Sequence, residues 1–146
     1  MKIIACGHDG VIAIGLTSQG ARTDTMPGLD DDADGIGFHG DEGKIYDRQG
    51  SWGNLVLGEH PERFTTGDIV SCQVTRVQTD GLHFLRIIRF GKNGENVGPA
   101  RYIENAALYP SVGMGPRGAR VQTNLGEDKF AYKMQGTAIY YCALFN

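Results

Sequence analysis

Residues 29–43 read LDDDADGIGFHGDEG, from Leu29 to Gly43, and how this stretch is read decides the fold. Asp30, Asp32, Asp34 and Gly35 fall at the spacing of an EF-hand calcium loop, which would place the segment between two helices. The rest of the pattern departs from that loop. The twelfth position, which should be a bidentate Glu, is Asp41, with Glu42 one place late, and the apolar eighth position is Gly37, with Ile36 displaced to the seventh. The flanks weigh more: Pro27-Gly28 precedes the stretch and the strand-like GIGFH continues it, so no helix borders the acids. The segment reads as an acidic surface turn that enters a strand.

Outward from this turn the chain keeps reading as β. Residues 11–16, VIAIGL, are apolar on both alternating faces, as in a central strand covered on two sides. In IVSCQVTR, Val70, Cys72 and Val74 alternate with Ser71, Gln73 and Thr75, which predicts a strand with one row inward and one wet face. ARVQTNL repeats the pattern, with Ala119, Val121, Thr123 and Leu125 on one side. Between LHFLRIIRF and ENVG, the Asn93-Gly94 pair supplies the positive φ angles of a two-residue hairpin turn. No window carries helical apolar periodicity, and Gly or Pro interrupts the chain too often for long helices. Short strands separated by turn clusters predict an all-β sandwich or barrel rather than a βαβ sheet.

A chain of 146 residues supports one domain with a genuine core, and its 22 glycines are about twice the usual share of roughly 7%. The net charge of -3 lacks the basic stripe of a nucleic-acid binder, and a solvated strand edge accounts for Arg86, Arg89 and Lys92. Cys6, Cys72 and Cys142 are odd in number and form no CxxC pair, which argues against a disulfide framework or a zinc site and fits a reducing, cytoplasmic setting. There is no secretory signal and no glycosylation acceptor, and the longest apolar run, 139–145, is far short of the roughly 20 residues that span a bilayer. A soluble intracellular protein with no membrane role is expected.

Catalytic and cofactor motifs are weak. GMGPRG, residues 113–118, matches a dinucleotide fingerprint, yet Pro116 and the strand after it deny the required helix. His8, His39, His60 and His83 share no metal-ligand spacing, and no nucleophile elbow occurs. His39 beside Asp41 and Glu42 is the nearest approach to an acid-base pair. Trp52, between glycines in GSWGN, reads either as a loop aromatic that anchors a partner or as a lid on the sandwich.

Five blocks, PGLDDDADGIGFHGDEGKIY, FTTGDIVSC, IRFGKNGENVG, LYPSVGMG and NLGEDKF, occur in this order, and the order resembles the SPRY domain, closest to the subtype of Ran-binding-protein-M-like and SPRY-domain-containing intracellular proteins. The resemblance implies a bent, antiparallel two-sheet β-sandwich of the concanavalin-like jelly-roll kind. It also implies a non-enzymatic protein-interaction module without cofactor or metal, an adaptor or substrate-recognition domain holding a peptide or protein through loops at one rim. Gly35, Gly37 and Gly40 then look like backbone necessities. Tyr46 is similar in placement to a peptide-contacting tyrosine of the SOCS-box SPRY branch. That branch carries a Trp-Gly pair after its LYP strand, where this sequence has Pro116 and Arg117, and Arg117 would favour a carboxylate-bearing partner.

The expected domain is 1–146, with the family core at about 11–130. Family members generally carry strands ahead of the segment matching residues 2–16, so an exposed sheet edge is expected here that could pair with a second copy. The apolar tail TAIYYCALF predicts an extra strand at about 137–145 that fills this place or pairs between chains. The partner-contacting residues expected are Tyr46, Trp52, Pro116 and Arg117. The alternative is a lectin-type sandwich in which Asp30 to Asp34 bind calcium and help to hold a sugar; a third reading makes His39 and Asp41 an acid-base pair at the same rim.

Overall fold

The computed structural model describes residues 1–6, 11–30, 34–47, 63–80, 83–104, 107–115 and 117–129. Nine strands form in them: β1 (Lys2–Cys6), β2 (Ile12–Ser18), β3 (Gly35–His39), β4 (Lys44–Asp47), β5 (Val70–Asp80), β6 (His83–Lys92), β7 (Glu95–Glu104), β8 (Leu108–Met114) and β9 (Ala119–Gln122). There is no helix among the described residues. One sheet has the order β4-β3-β2-β8 and a second β5-β6-β7, while β1 pairs with β9, all antiparallel. A bridge from Lys2 to Ile69, with bonds from Ile3 N to Asp68 O (2.9 Å) and Gly67 N to Ile3 O (2.8 Å), ties β1 to the chain entering β5.

The core forms where the apolar rows of the two sheets meet. Ile12, Ile14 and Leu16 of β2, Ile36 and Phe38 of β3 and Ile45 of β4 face Val70, Ile88, Phe90 and Val97 of β5–β7, with Ile3 and Phe64 completing one buried cluster. Phe38 sits at its centre, with Phe64 edge-on at 5.0 Å and Phe90 tilted at 5.8 Å between ring centroids. Each such pair adds about 0.5–1.5 kcal/mol beyond the area it buries.

The two-sided burial read from residues 11–16 holds, since β2 lies between β3 and β8 and residues 12–16 are all buried. The cover on its outer side is a loop. The hairpin is also where it was expected: Asn93 at φ 52° and Gly94 at φ 93° close β6 onto β7. Asn93 does more than turn the chain, because its side-chain oxygen accepts from Ile69 N and its amide donates to Asp68, both at 2.8 Å. Two family blocks, at Gly67-Asp68 and Asn93-Gly94, are thus one joint.

Two expectations need correction. Gln73 does not lie on a wet face but is buried, at 4% exposure, although it sits on the row opposite Cys72 and Val74. The row read through Leu125 stops at Gln122, because Asn124 Oδ1 accepts from Gly126 N (2.9 Å) and Asp128 N (3.3 Å), which turns the chain and leaves Leu125 exposed. The strand expected at about 137–145 lies outside the described residues.

Candidate functional site

On the face of the β4-β3-β2-β8 sheet turned away from the core, the pleat places Ala13, Gly15 and Thr17 of β2 beside Gly35, Gly37 and His39 of β3 and Tyr109, Ser111 and Gly113 of β8. The glycines make a lane without side chains, and the loop that follows β2 lies down in it. A Cβ on Gly37 would overlap the Pro27 carbonyl oxygen, one on Gly113 the Met26 sulfur, and one on Gly28, at φ +84°, the Tyr46 carbonyl oxygen. Pro27 is buried, and its carbonyl accepts a hydrogen bond from His39 Nε2 at 2.8 Å. Burial holds the His39 imidazole below its ordinary pKa, so that it donates here as a neutral ring.

The loop is braced within itself. Asp30, the first acid of the opening stretch, is buried at 7% exposure, and its carboxylate accepts the Arg22 backbone N–H at 2.7 Å. Asp30 is therefore no surface acid, which corrects the turn as read from sequence. Asp34 is exposed and Asp32 lies outside the described residues. Among the described residues no group of three or more His, Cys, Asp or Glu could hold a metal ion. At the loop's crest the Arg22 guanidinium grips Asp24 twice, at 3.0 and 2.8 Å, and holds that carboxyl below its usual pKa.

Between this loop and the end of β8 runs a groove of about 610 Å³. Met26 supplies an apolar wall, Arg22 and Asp24 a charged rim, and Thr17, Asp30 and Ser111 polar groups along the lining, with the β8 edge from Ser111 to Gly115 as the far bank. Val112 and Met114, 37% and 50% exposed, belong by register to the other face of this edge strand, with Ile14 and Ile12, whereas Ser111 Oγ, on the groove face, is buried without a hydrogen-bond partner. Gly115 closes the strand with its N–H on Val11 O at 2.8 Å. Arg117 follows, exposed on a turn completed by Gly118 at φ 92°.

Tyr46 lies elsewhere. Its ring packs on His39 at 4.6 Å, and its hydroxyl donates to the Glu42 carboxylate, which Lys44 also holds at 3.1 Å. Burial, reinforced by Glu42, pushes the Tyr46 hydroxyl up to about 12. Tyr46 is not in the groove lining but meets the same loop from behind, through Gly28 on its backbone. Trp52 and Pro116 lie outside the described residues. The residues that sequence reasoning missed are Arg22, Asp24, Met26 and Ser111. One signal was available: glycines at 15, 37 and 113 within β-patterned segments mark a lane where another stretch of backbone approaches closely.

A SPRY-domain sequence profile matches residues 3–128. Ran-binding protein 9 of Xenopus laevis is 33% identical over 136 residues, 92% of this chain and 22% of that protein. Ran-binding protein 10 of Danio rerio is 31% identical over 92% of this chain and 20% of its own length. The Ran-binding protein M homolog of Arabidopsis thaliana is 30% identical over 89% of this chain and 25% of its own. The chain thus spans about a fifth to a quarter of the length of these relatives. A crystal structure of a human SPRY domain superposes with a TM-score of 0.62 at 29% identity, covering 81% of this chain and 69% of that one. With its all-antiparallel sheets and the match over residues 3–128, the chain belongs to the SPRY-domain family, whose members serve generally as protein-interaction modules.

Proposed function

We propose that this chain is a non-catalytic adaptor or recognition module that binds a peptide or a segment of a protein partner in the groove between the Ala21–Asp30 loop and the end of β8. The observation that carries the reading is the groove itself: an apolar wall at Met26 bounded by a charged rim, on a loop that the glycine lane seats on the sheet. A preformed site of this kind binds without first having to order the loop. Flexible Met26 suits an apolar side chain of variable shape. Arg117, just past the groove, would take a carboxylate of the same partner, with Trp52 and Pro116 as further contacts and Tyr46 as a support for the loop. The Cys6 thiol, buried and without a disulfide, agrees with a place inside the cell, and among the described residues no helix is long and apolar enough to cross a membrane.

The test is quantitative capture from cell extract with the wild-type chain and with Arg22→Ala/Asp24→Ala at the groove's rim, whose side chains are exposed enough to accept the change. The expected result is loss of specific partners with an unchanged melting temperature, and a smaller loss for Arg117→Ala. Identical partner sets for wild type and the groove variant would overturn the reading.

A further inference from the structure

The groove's far bank is an edge strand, and its backbone is still open. β2 pairs with β8 on one side, and among the described residues no strand pairs with it on the other. Antiparallel pairing turns alternate residues toward the neighbouring strand and the rest away from it. Gly115 N donates to Val11 O at 2.8 Å, while Ile12 O accepts from Gly40 N, on the β3 side, at 2.9 Å. With Met114 opposite Ile12 and Gly113 opposite Ala13, Ser111 and Gly113 bond to β2, and Val112 and Met114 turn their N–H and C=O outward. Pro110 is in phase with this, since it stands where an N–H would face outward and its lack of one costs no ladder bond. Natural sheets usually blunt such an edge with charge or a bulge. Residues 108–115, LYPSVGMG, carry no charge, and β8 pairs with β2 from Leu108 to Met114 without a shift of register. The side chains are open too. Val112 and Met114 are 37% and 50% exposed, whereas Ile14 and Ile12 beside them are 4% and 0%, so the sandwich is uncovered where one more strand would lie. On the groove face, the Ser111 hydroxyl is buried without a partner, a state that buried hydroxyls rarely keep.

We propose that the partner segment binds as an added strand, extended and antiparallel to β8, with its backbone bonded to Val112 and Met114. This rests on the groove reading and adds the conformation and the side-chain pattern of what enters. The backbone selects this occupant: unpaired donors and acceptors at strand spacing fit an extended chain and no helix. Residues of the segment opposite Val112 and Met114 are apolar and cover them. The residue opposite Gly113 faces the groove and is apolar, because the Met26 sulfur lies close over Gly113. The residue opposite Ser111 is a carboxamide or a similar group that bonds the buried hydroxyl. A second copy of β8 fits poorly. Paired in the register that uses these outward N–H groups, Val112 against Met114, it would set only Gly113 and Gly115 on the groove face and leave the groove empty.

The probe is the synthetic peptide acetyl-Glu-Val-Leu-Val-Asn-Thr-Lys-amide, titrated into the 15N-labelled chain. One counterpart is N-methylated at both valines, whose N–H groups would face β8, and another at Leu and Asn, whose N–H groups would face away. In the free chain the Val112 and Met114 amides are expected to exchange with solvent at least about tenfold faster than those of Ser111 and Gly113. The peptide should shift the Val112 and Met114 amides saturably and slow their exchange. Methylation at the valines should weaken binding about tenfold or more, methylation at Leu and Asn about twofold or less, and Ser111→Ala about fivefold. The methylated pair needs no variant chain, so the test survives if Ser111→Ala does not fold. Equal losses from the two methylation patterns, or no saturable shift at Val112 and Met114, overturns the proposal. So does slow exchange of these two amides in the peptide-free chain, because another strand, of this chain or of a second copy, would already hold the edge. Arg22→Ala/Asp24→Ala leaves the β8 backbone intact, so loss of captured partners with that variant and no strand pairing here would sink the added strand alone and leave the groove standing.

Discussion

Gly37 shows how one missing side chain organises the site. It has no special φ angle to serve; its hydrogen is the only substituent that fits beneath the Pro27 carbonyl. Gly67 is the contrasting case, at φ +95° with nothing within 4 Å of where a Cβ would stand. Gly37→Ala must therefore push the loop off the sheet and is expected to cost about 3 kcal/mol or more, whereas Gly67→Ala meets only backbone strain, worth about 1 kcal/mol. Urea midpoints of the two variants check this; equal losses would mean that the loop yields freely and is not braced by the lane. The family resemblance implied that Gly35, Gly37 and Gly40 are backbone necessities, and the structure leaves no room for a Cβ at Gly37 and Gly40, whereas at Gly35 the nearest atom stands 3.1 Å from where one would be. What Gly37 and Gly40 make room for was not legible in the sequence, since Pro27 and Phe64 approach them only in the folded chain.

The Ala21–Asp30 loop acts as an element because it is fastened at several points: by Pro27 in the lane, by His39 Nε2 on the Pro27 carbonyl, and by Asp30 on the Arg22 N–H. The His39 fastening is pH-dependent. Burial disfavours the imidazolium more than the Pro27 bond, Asp41 and Glu42 favour it, so the folded pKa lies below 6.5. Between that value and 6.5 the unfolded chain binds more protons, and stability rises with pH through this window. Stability is accordingly expected to be level above about pH 7.5 and to fall as the pH drops below His39's ordinary value of about 6.5. His39→Gln keeps a donor for Pro27 but cannot titrate, so its urea midpoint should drop less between pH 7.5 and 5.5 than that of the wild-type chain. Equal slopes would remove His39 as the cause. The strands on either side of this loop follow from alternation, which is a local property, but the docking of an irregular loop has no period to read.

At the scale of the whole molecule, the two sheets are joined by the apolar cluster and, at one end, by Arg101 of β7 facing Asp47 of β4 at 3.8 Å, with side-chain exposures of 17% and 19%. Asp47 Oδ1 and Arg101 Nη2 are buried without hydrogen-bond partners, so the pair holds by charge alone. A pair of this kind contributes little beyond an apolar replacement, while removing one partner strands the other. Asp47→Ala is expected to cost about 2–3 kcal/mol, and Asp47→Leu/Arg101→Leu to recover most of it. A double-mutant cycle by urea denaturation decides; additive losses would show that the two side chains do not interact.

Local order was enough to determine β2, β3, β5 and the β6–β7 hairpin with its Asn93-Gly94 turn, the absence of helical periodicity and, through the order of five blocks, the family. Each of these rests on neighbours within a few residues or on turn chemistry that needs particular residue types. The tertiary structure alone decided that Asp30 points inward, that Gln73 is covered, and that Arg22, Asp24 and Met26 meet Ser111 and Gly113 across a groove. Those are contacts between residues up to about ninety positions apart, set by how a loop lies on a sheet, and alternation along one strand carries no information about what will be laid upon it.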